Sequence, residues 1–249
     1  MQVLPTRTLK AAANMAVDQL LLEAYPAPDA PRFRHYGWSN PAFTFGRTQR
    51  FEEAAERLPI HASWREAHDH FASRFELVRR PTGGGVVDHR DDWTYALVLP
   101  STHPLARAKA GDAYREIHQV LAWALQQQGI EAKLQPCPCA DQSPADAEKT
   151  AVATTCFTRA EPGDVIDADG EKLAGAAQRR TRDGLLMQGT IAREPLRAID
   201  WQRFESDFTG ALAEWLGGTP VPSKFPQWPQ ALLTDTIAEF ESKAWNERR

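Results

Sequence analysis

The residues of this chain best suited to chemistry fall in two runs and one isolated cysteine. The first run is Arg79-Arg80-Pro81-Thr82-Gly83-Gly84-Gly85-Val86-Val87-Asp88-His89. Consecutive glycines let backbone approach a ligand where a side chain would collide. The arginines ahead of them bring permanent positive charge and fork-shaped donors. Glycine-rich turns also serve ordinary hairpins, so this run alone fits a ligand cradle or a plain turn. The second run, Lys172-Leu173-Ala174-Gly175-Ala176-Ala177-Gln178-Arg179-Arg180, sets a lysine just after a tight turn and before small residues. Small residues let a ligand lie close, and a compact, movable ammonium suits negative charge developing on a carbonyl or phosphate oxygen. A hairpin lysine can equally be a solvated one. Cys156, between Thr155 and Phe157, also has two readings. Near a lysine its thiolate is favoured and acts as a nucleophile; packed away it is a small hydrophobe. Cys137 and Cys139 are one residue apart, without a second Cys or His pair at finger-like spacing, and do not make a zinc site.

Helices and strands must hold these groups, and the pattern supplies both. Thr8 can cap a helix reaching about Tyr25, with Met15 and Leu22 on its apolar face. Strand-like pieces follow at Phe33–Tyr36 and Ala42–Phe45, separated by Gly37-Trp38-Ser39-Asn40-Pro41. A short helix is expected within Phe51–Ala62, and Phe75–Val78 leads as a strand into the glycine run. Thr94–Leu99 continues as a hydrophobic strand beyond it. Asp112 reads as an N-cap and Gly129 as a stop, with Tyr114, Ile117, Leu121 and Leu125 at helical spacing between them. Pro136–Thr155 reads as a long polar loop and a candidate lid. Asp169-Gly170 and Asp183-Gly184 mark two hairpin turns. Trp201, Phe204, Phe208, Leu212 and Trp215 share a helix face, and a last helix runs from about Pro229 towards Trp245. The order predicts an α+β fold with an antiparallel or mixed sheet rather than repeated βαβ units.

Composition narrows the partners. The chain has 249 residues, 42% hydrophobic and 25% charged, as expected of a globular protein. A net charge of -4 argues against nonspecific nucleic-acid binding. No apolar run approaches the roughly 20 residues that cross a bilayer, and the first residues lack signal-peptide grammar. Three cysteines do not suggest a disulfide framework. The expectation is a cytoplasmic protein.

Taken in order, Asn14-Met-Ala-Val-Asp18, Tyr36-Gly-Trp38, Phe45-Gly46-Arg47-Thr-Gln49, the arginine–glycine run, His89, Thr94-Tyr95, the lysine–glycine run and Gln188-Gly189-Thr190 carry a resemblance. The chain resembles the lipoate–protein ligases and octanoyltransferases, whose catalytic domain is shared with biotin–protein ligases. The resemblance spans about Asn14 to Ile191. It implies a single domain over residues 1–249, of the class II aminoacyl-tRNA synthetase and biotin–lipoate ligase kind. The core would occupy about 8–195, with a helical part at about 200–249. It implies a mixed sheet flanked by helices and an acyl chain held in a tunnel. Carried onto this sequence, the substrate-binding positions are Arg47, Arg79, Thr82, Gly83, Gly84, Gly85, His89, Tyr95, Gly175, Ala176, Gln188 and Gly189. Lys172 and Cys156 are catalytic, and no metal ligand is implied.

Members of the family differ in how the acyl group is activated. Octanoyltransferases take it from octanoyl-acyl carrier protein through a cysteine in a Cys-Phe context, as Cys156-Phe157 provides, and need no cofactor. Ligases use ATP and Mg2+ to form an acyl-adenylate and carry an Asn-Asp pair near this point, which is missing here. The acceptor in both cases is a lysine on a lipoyl domain, of a 2-oxoacid dehydrogenase E2 subunit or of the glycine cleavage H protein. No nucleic-acid or membrane partner is implied. The biotin branch is disfavoured because its Gly-Arg-Gly-Arg-type loop is missing. One departure stands out: Gln188 occupies a position that is histidine in many relatives. An amide cannot act as a general base, which leaves a non-catalytic, acyl-binding member as a further alternative.

Overall fold

The computed structural model describes residues 1–27, 29–58, 75–137 and 160–248. In chain order they form β1 (Gln2–Val3), β2 (Arg7–Leu9), α1 (Ala11–Glu23), β3 (Arg32–Trp38), β4 (Ala42–Phe45), α2 (Phe51–Glu56), β5 (Glu76–Arg79), β6 (Val87–Asp88) and β7 (Asp92–Pro100). Next come α3 (Pro104–Arg107), α4 (Ala110–Gln126), β8 (Lys133–Leu134), β9 (Val165–Ile166), β10 (Lys172–Thr181) and β11 (Gly184–Ala192). The chain ends in α5 (Trp201–Trp215), β12 (Val221–Pro222), α6 (Gln230–Glu241) and α7 (Lys243–Asn246).

A large sheet runs in the order β12-β1-β3-β7-β11-β10-β9-β8, with β2 beside β3. It is mixed: β1 pairs parallel with β12 and β3, and β2 parallel with β3. The central pairs β3–β7, β7–β11 and β11–β10 are antiparallel. The expected hairpin turns are there, with Gly170 and Gly184 at φ 88° and 144°. A small sheet, β5-β4-β6, lies apart from the large one. No helix among the described residues is long and apolar enough to cross a membrane.

Alternation along the central strands divides the molecule into two layers. Trp93, Tyr95, Leu97 and Leu99 of β7 point to one face, packing with Ile117 and Leu121 of α4 and Phe204 and Phe208 of α5. Ala96 and Val98 point to the other, with Met15, Leu21 and Leu22 of α1 and Phe240 of α6. The second face also carries Thr94, Gln188 and Thr190, so the functional side of the sheet is the α1 side.

Two expected helix starts moved, the first for a tertiary reason. Thr8 lies in β2, paired with Gly37 of β3, and helix α1 begins three residues later. Its first N–H, at Ala11, donates to the Glu76 carboxylate of β5, a cap from a strand 65 residues away. Asp112 sits in the first turn of α4 and pairs with Arg115 at 3.1 Å, while Lys109 holds the cap position.

Arg79, expected on the wall of an acyl tunnel, is instead a buried clamp. Its guanidinium donates to the carbonyls of Arg47 (2.7 Å), Gln49 (2.6 Å), Trp245 (3.0 Å), Asn246 (2.7 Å) and Arg248 (2.9 Å). Its own N–H donates to Asn246 Oδ1, and its carbonyl accepts from the Trp245 indole. The C-terminal helix α7 is therefore fastened to β5 through the side chain and backbone of one residue. Arg79→Ala strands these buried carbonyls, each hydrogen bond to a charged donor being worth about 1.5–3 kcal/mol. Denaturant unfolding should show a loss of at least about 3 kcal/mol; a loss below 1 kcal/mol would contradict the clamp.

Candidate functional site

A cavity lies between the α1 face of the large sheet and the small sheet. The register lays out its long axis. Gly175, Thr190, Thr94 and Tyr36 are successive cross-strand partners on β10, β11, β7 and β3. All four line the cavity. Three inter-strand steps make this row about 14 Å long. Lys172 stands at its β10 end, and Tyr36 and Trp38 at its β3 end.

Seven of the expected site residues line this space: Gly84, His89, Lys172, Gly175, Ala176, Gln188 and Gly189. Others do not. Arg80, not Arg79, faces the cavity, because successive side chains of a strand point to opposite sides. Tyr95 is sealed beneath Gly189, its ring 2.3 Å from where a Cβ on Gly189 would stand. Thr82 is fully buried behind the loop. Gly83 and Gly85 flank Gly84 without lining the space, and Arg47 is exposed outside it. Cys156 and most of the Pro136–Thr155 stretch lie outside the described residues; Cys137 is exposed. Met15, Trp38, Thr44, Val87, Ala177 and Thr190 complete the lining. Their alternation with core residues could have flagged Thr190 and Ala177, whereas Thr44 and Met15 carry no local signal.

At the β10 end, Lys172 Nζ sits 2.7 Å from Asp164 Oδ2, both side chains buried. Tyr114 of α4 donates its hydroxyl to the other oxygen of Asp164. At the far end His89 Nδ1 lies 2.7 Å from Asp92 Oδ2, and Nε2 2.8 Å from the Thr44 hydroxyl. A carboxylate only accepts, so Nδ1 carries a proton and donates it to Asp92. Thr94 (2.9 Å) and Thr190 donate to the same Asp92 oxygen. Thr94 in turn accepts from the Trp38 indole at 2.9 Å, and that indole stacks on His89. Arg80 donates to Thr44 and to the Gly83 carbonyl. At this end His89, Thr94 and Thr190 converge on Asp92 Oδ2.

Gln188 is explained by its neighbours. Its amide nitrogen donates to Asp18 Oδ2 at 2.7 Å, and its oxygen accepts from Thr82 at 2.7 Å. Asp18 can only accept, which fixes the amide's orientation. The residue ties α1, β11 and the glycine loop together and leaves no proton to move. Gly46 supports the same loop: a Cβ there would stand 1.9 Å from the Gly84 carbonyl oxygen.

Residues 10–197 match the family model described as the lipoyl protein ligase A/B catalytic domain. The chain belongs to that family. The octanoyltransferase LipM of Kyrpidia tusciae is 30% identical over 285 residues, covering 100% of this chain and 98% of that protein. Octanoyltransferase LipM of Symbiobacterium thermophilum is 29% identical, with 95% and 94% covered. Among solved structures, lipoate-protein ligase A bound with ATP is similar at a TM-score of 0.71 and 15% identity, over 99% of this chain and 98% of that one. The bi-partite lipoate protein ligase of Thermoplasma acidophilum gives 0.70 and 16%, over 99% and 95%. These likenesses establish the fold: the mixed sheet and flanking helices are those of lipoate–protein ligase structures.

Two measurements on this lipoyl ligase-family chain test its buried polar groups. Gln188→Ala leaves Asp18 and Thr82 each short of a partner, which should cost about 1–3 kcal/mol of unfolding free energy. An unchanged urea midpoint would remove Gln188 from the network. His118 of α4 is buried with Nδ1 donating to the Gly163 carbonyl at 2.7 Å, and Nε2 has no hydrogen-bond partner. Burial pushes its pKa down from 6.5 to about 4. Between those values the unfolded chain binds a proton that the fold refuses, so stability falls as pH drops from 6.5 towards 4. Unfolding free energies at pH 7 and pH 5 should differ by about 2 kcal/mol less in His118→Gln than in the wild type. Equal differences would refute the assignment.

Proposed function

We propose that the protein transfers an octanoyl group from octanoyl-acyl carrier protein to one lysine of a lipoyl domain, through a thioester on Cys156. The observation that carries this reading is the Lys172 ammonium held at one end of a cavity lined along a row of four strands, with the stacked Trp38 and His89 rings lining the other end. An extended eight-carbon chain spans such a row of four strands with its carbonyl beside the cation. The near-full-length relatives named octanoyltransferases support the same donor group. Cys156-Phe157, 16 positions before Lys172, supplies the nucleophile that a thioester route needs.

In the first step the Cys156 thiolate attacks the octanoyl carbonyl, and the carbon–sulfur bond to the carrier protein breaks. The carrier thiolate leaves and takes a proton from solvent. Lys172, helped by backbone N–H groups, stabilises the oxyanion of the tetrahedral intermediate. In the second step the acceptor lysine enters as the free amine and attacks the acyl-cysteine. The amide forms, the nitrogen loses its proton, and Cys156 departs as thiolate. Thioester to amide is downhill, so the reaction consumes no ATP. The acceptor is a lipoyl domain of a 2-oxoacid dehydrogenase E2 subunit or the glycine cleavage H protein.

The test is intact-mass spectrometry after incubation with octanoyl-acyl carrier protein. An added octanoyl mass on Cys156 is expected, and Cys156→Ala should lose about a thousandfold or more in transfer to a lipoyl domain. A Cys156→Ala enzyme working at full rate would sink the thioester route. Lipoate- and ATP-dependent turnover with pyrophosphate release and no adduct would select acyl-adenylate chemistry instead.

A further inference from the structure

Lys172 and Gly175 both line the cavity although an odd number of positions separates them on β10. In a regular strand they would point to opposite faces. The pairing of β10 with β9 slips register between Lys172 and Ala174, and such a bulge re-aims the side chain beside it. Once re-aimed, the lysine folds back over Gly175: a Cβ there would stand 2.6 Å from Lys172 Cε and 2.8 Å from Nζ. Its ammonium then meets Asp164 Oδ2 at 2.7 Å.

Asp164 is itself held. Its side chain is 1% exposed, Oδ2 also accepts from the Glu161 N–H at 2.7 Å, and Oδ1 accepts the Tyr114 hydroxyl. That hydroxyl accepts in turn from the N–H of Ala176, itself a cavity-lining residue, at 3.0 Å. Gly163, at φ 88°, brings the loop over the Tyr114 ring, and its carbonyl receives His118. A loop, a helix and a bulged strand thus converge on a single ammonium.

We propose that Asp164 and Tyr114 are positioning residues that fix the Lys172 ammonium at the carbonyl end of the acyl cavity. Neither touches the reacting atoms; both act through Lys172. The inference rests on the acyl-transfer reading above. It also gives Gly175 a different role from close ligand approach: the missing side chain is the space the lysine occupies.

The test measures steady-state transfer from octanoyl-acyl carrier protein to a lipoyl domain, with thermal melts of every variant. Asp164→Asn should lower kcat about tenfold or more while KM for the lipoyl domain changes less than about twofold. Tyr114→Phe should lower kcat about threefold, and Asp164→Glu should recover part of the loss. The deciding readout is non-additivity: Asp164→Asn combined with Lys172→Ala should be no slower than Lys172→Ala alone. If Asp164→Asn does not fold, Tyr114→Phe carries the same cycle. Multiplicative losses in the double variant, or wild-type kcat in Asp164→Asn, would overturn the positioning role while leaving the transfer reading intact. Wild-type kcat in Lys172→Ala would overturn both.

Discussion

The fold turns on one buried carboxylate. Asp18, fully buried on α1, pairs with Arg34 of β3 at 2.7 Å, accepts the Tyr36 hydroxyl at 3.0 Å and accepts the Gln188 amide at 2.7 Å. Four residues earlier on the same helix face, Asn14 accepts from Arg34 through its carbonyl and donates to the Gly37 carbonyl of β3. Residues at i and i+4 share a helix face, so the Asn14…Asp18 spacing is what lets one helix grip one strand twice. Removing either partner of a buried pair leaves an uncompensated charge, far costlier than the net worth of the pair. Through Gln188 and Thr82 the same carboxylate reaches the glycine loop. Helix, sheet and loop are therefore set by one group, and the cavity between them is its by-product.

Glycine does several different jobs around that cavity, and only some concern a ligand. Gly84 adopts φ 85° and turns the loop. Gly46 lets the loop's backbone lie against β4's end, Gly189 makes room for the Tyr95 ring, and Gly175 makes room for Lys172. All three of these close approaches are to the protein's own atoms. Gly83, by contrast, has nothing within 4 Å of where a Cβ would be. A run of glycines in a sequence thus overstates how much backbone meets ligand and understates how much packs on itself.

Much of the scaffold was legible because its signals are local. The Asp-Gly turns, the apolar strand at Thr94–Leu99 and the aromatic face of α5 each depend on residues within one element. The start of α1 was not, because Glu76 caps it from a strand distant in sequence. The choice between Arg79 and Arg80 was illegible for a related reason. Adjacent strand residues face opposite ways, and the residues alone do not say which parity meets the cavity; β5's pairing with β4 decides it. Ala42 to Phe45 was placed to the residue, yet nothing in Thr44 announced that it would pair with both His89 and Arg80. Lys172 was a candidate from its place after a tight turn and before small residues, and resemblance supported it, but Asp164 came only from the register slip that folds the lysine back.

The electrostatics of the cavity follow from how its carboxylates are partnered. Asp18, Asp92 and Asp164 are all buried around it, and burying an unpaired charge is prohibitive. Most of their oxygens are met within their own walls: Asp18 by Arg34, Tyr36 and Gln188, Asp164 by Lys172, Tyr114 and the Glu161 N–H, and Asp92 Oδ2 by His89, Thr94 and Thr190, while Asp92 Oδ1 is buried without a hydrogen-bond partner among the described residues. Tyr36, Thr94, Gln188 and Thr190 line the cavity but give their donor hydrogens to these carboxylates. What remains exposed along the row is small or apolar surface from Gly175, Ala177, Val87 and Met15. A hydrocarbon chain costs nothing to place against such surface and gains about 25 cal/mol per Å² of its own area removed from water. A free carboxylate or phosphate part-way along would find its donors already taken. Polarity useful to a ligand is thus concentrated where Lys172 stands, so the walls sort an acyl group by orientation, tail inward and carbonyl towards the cation.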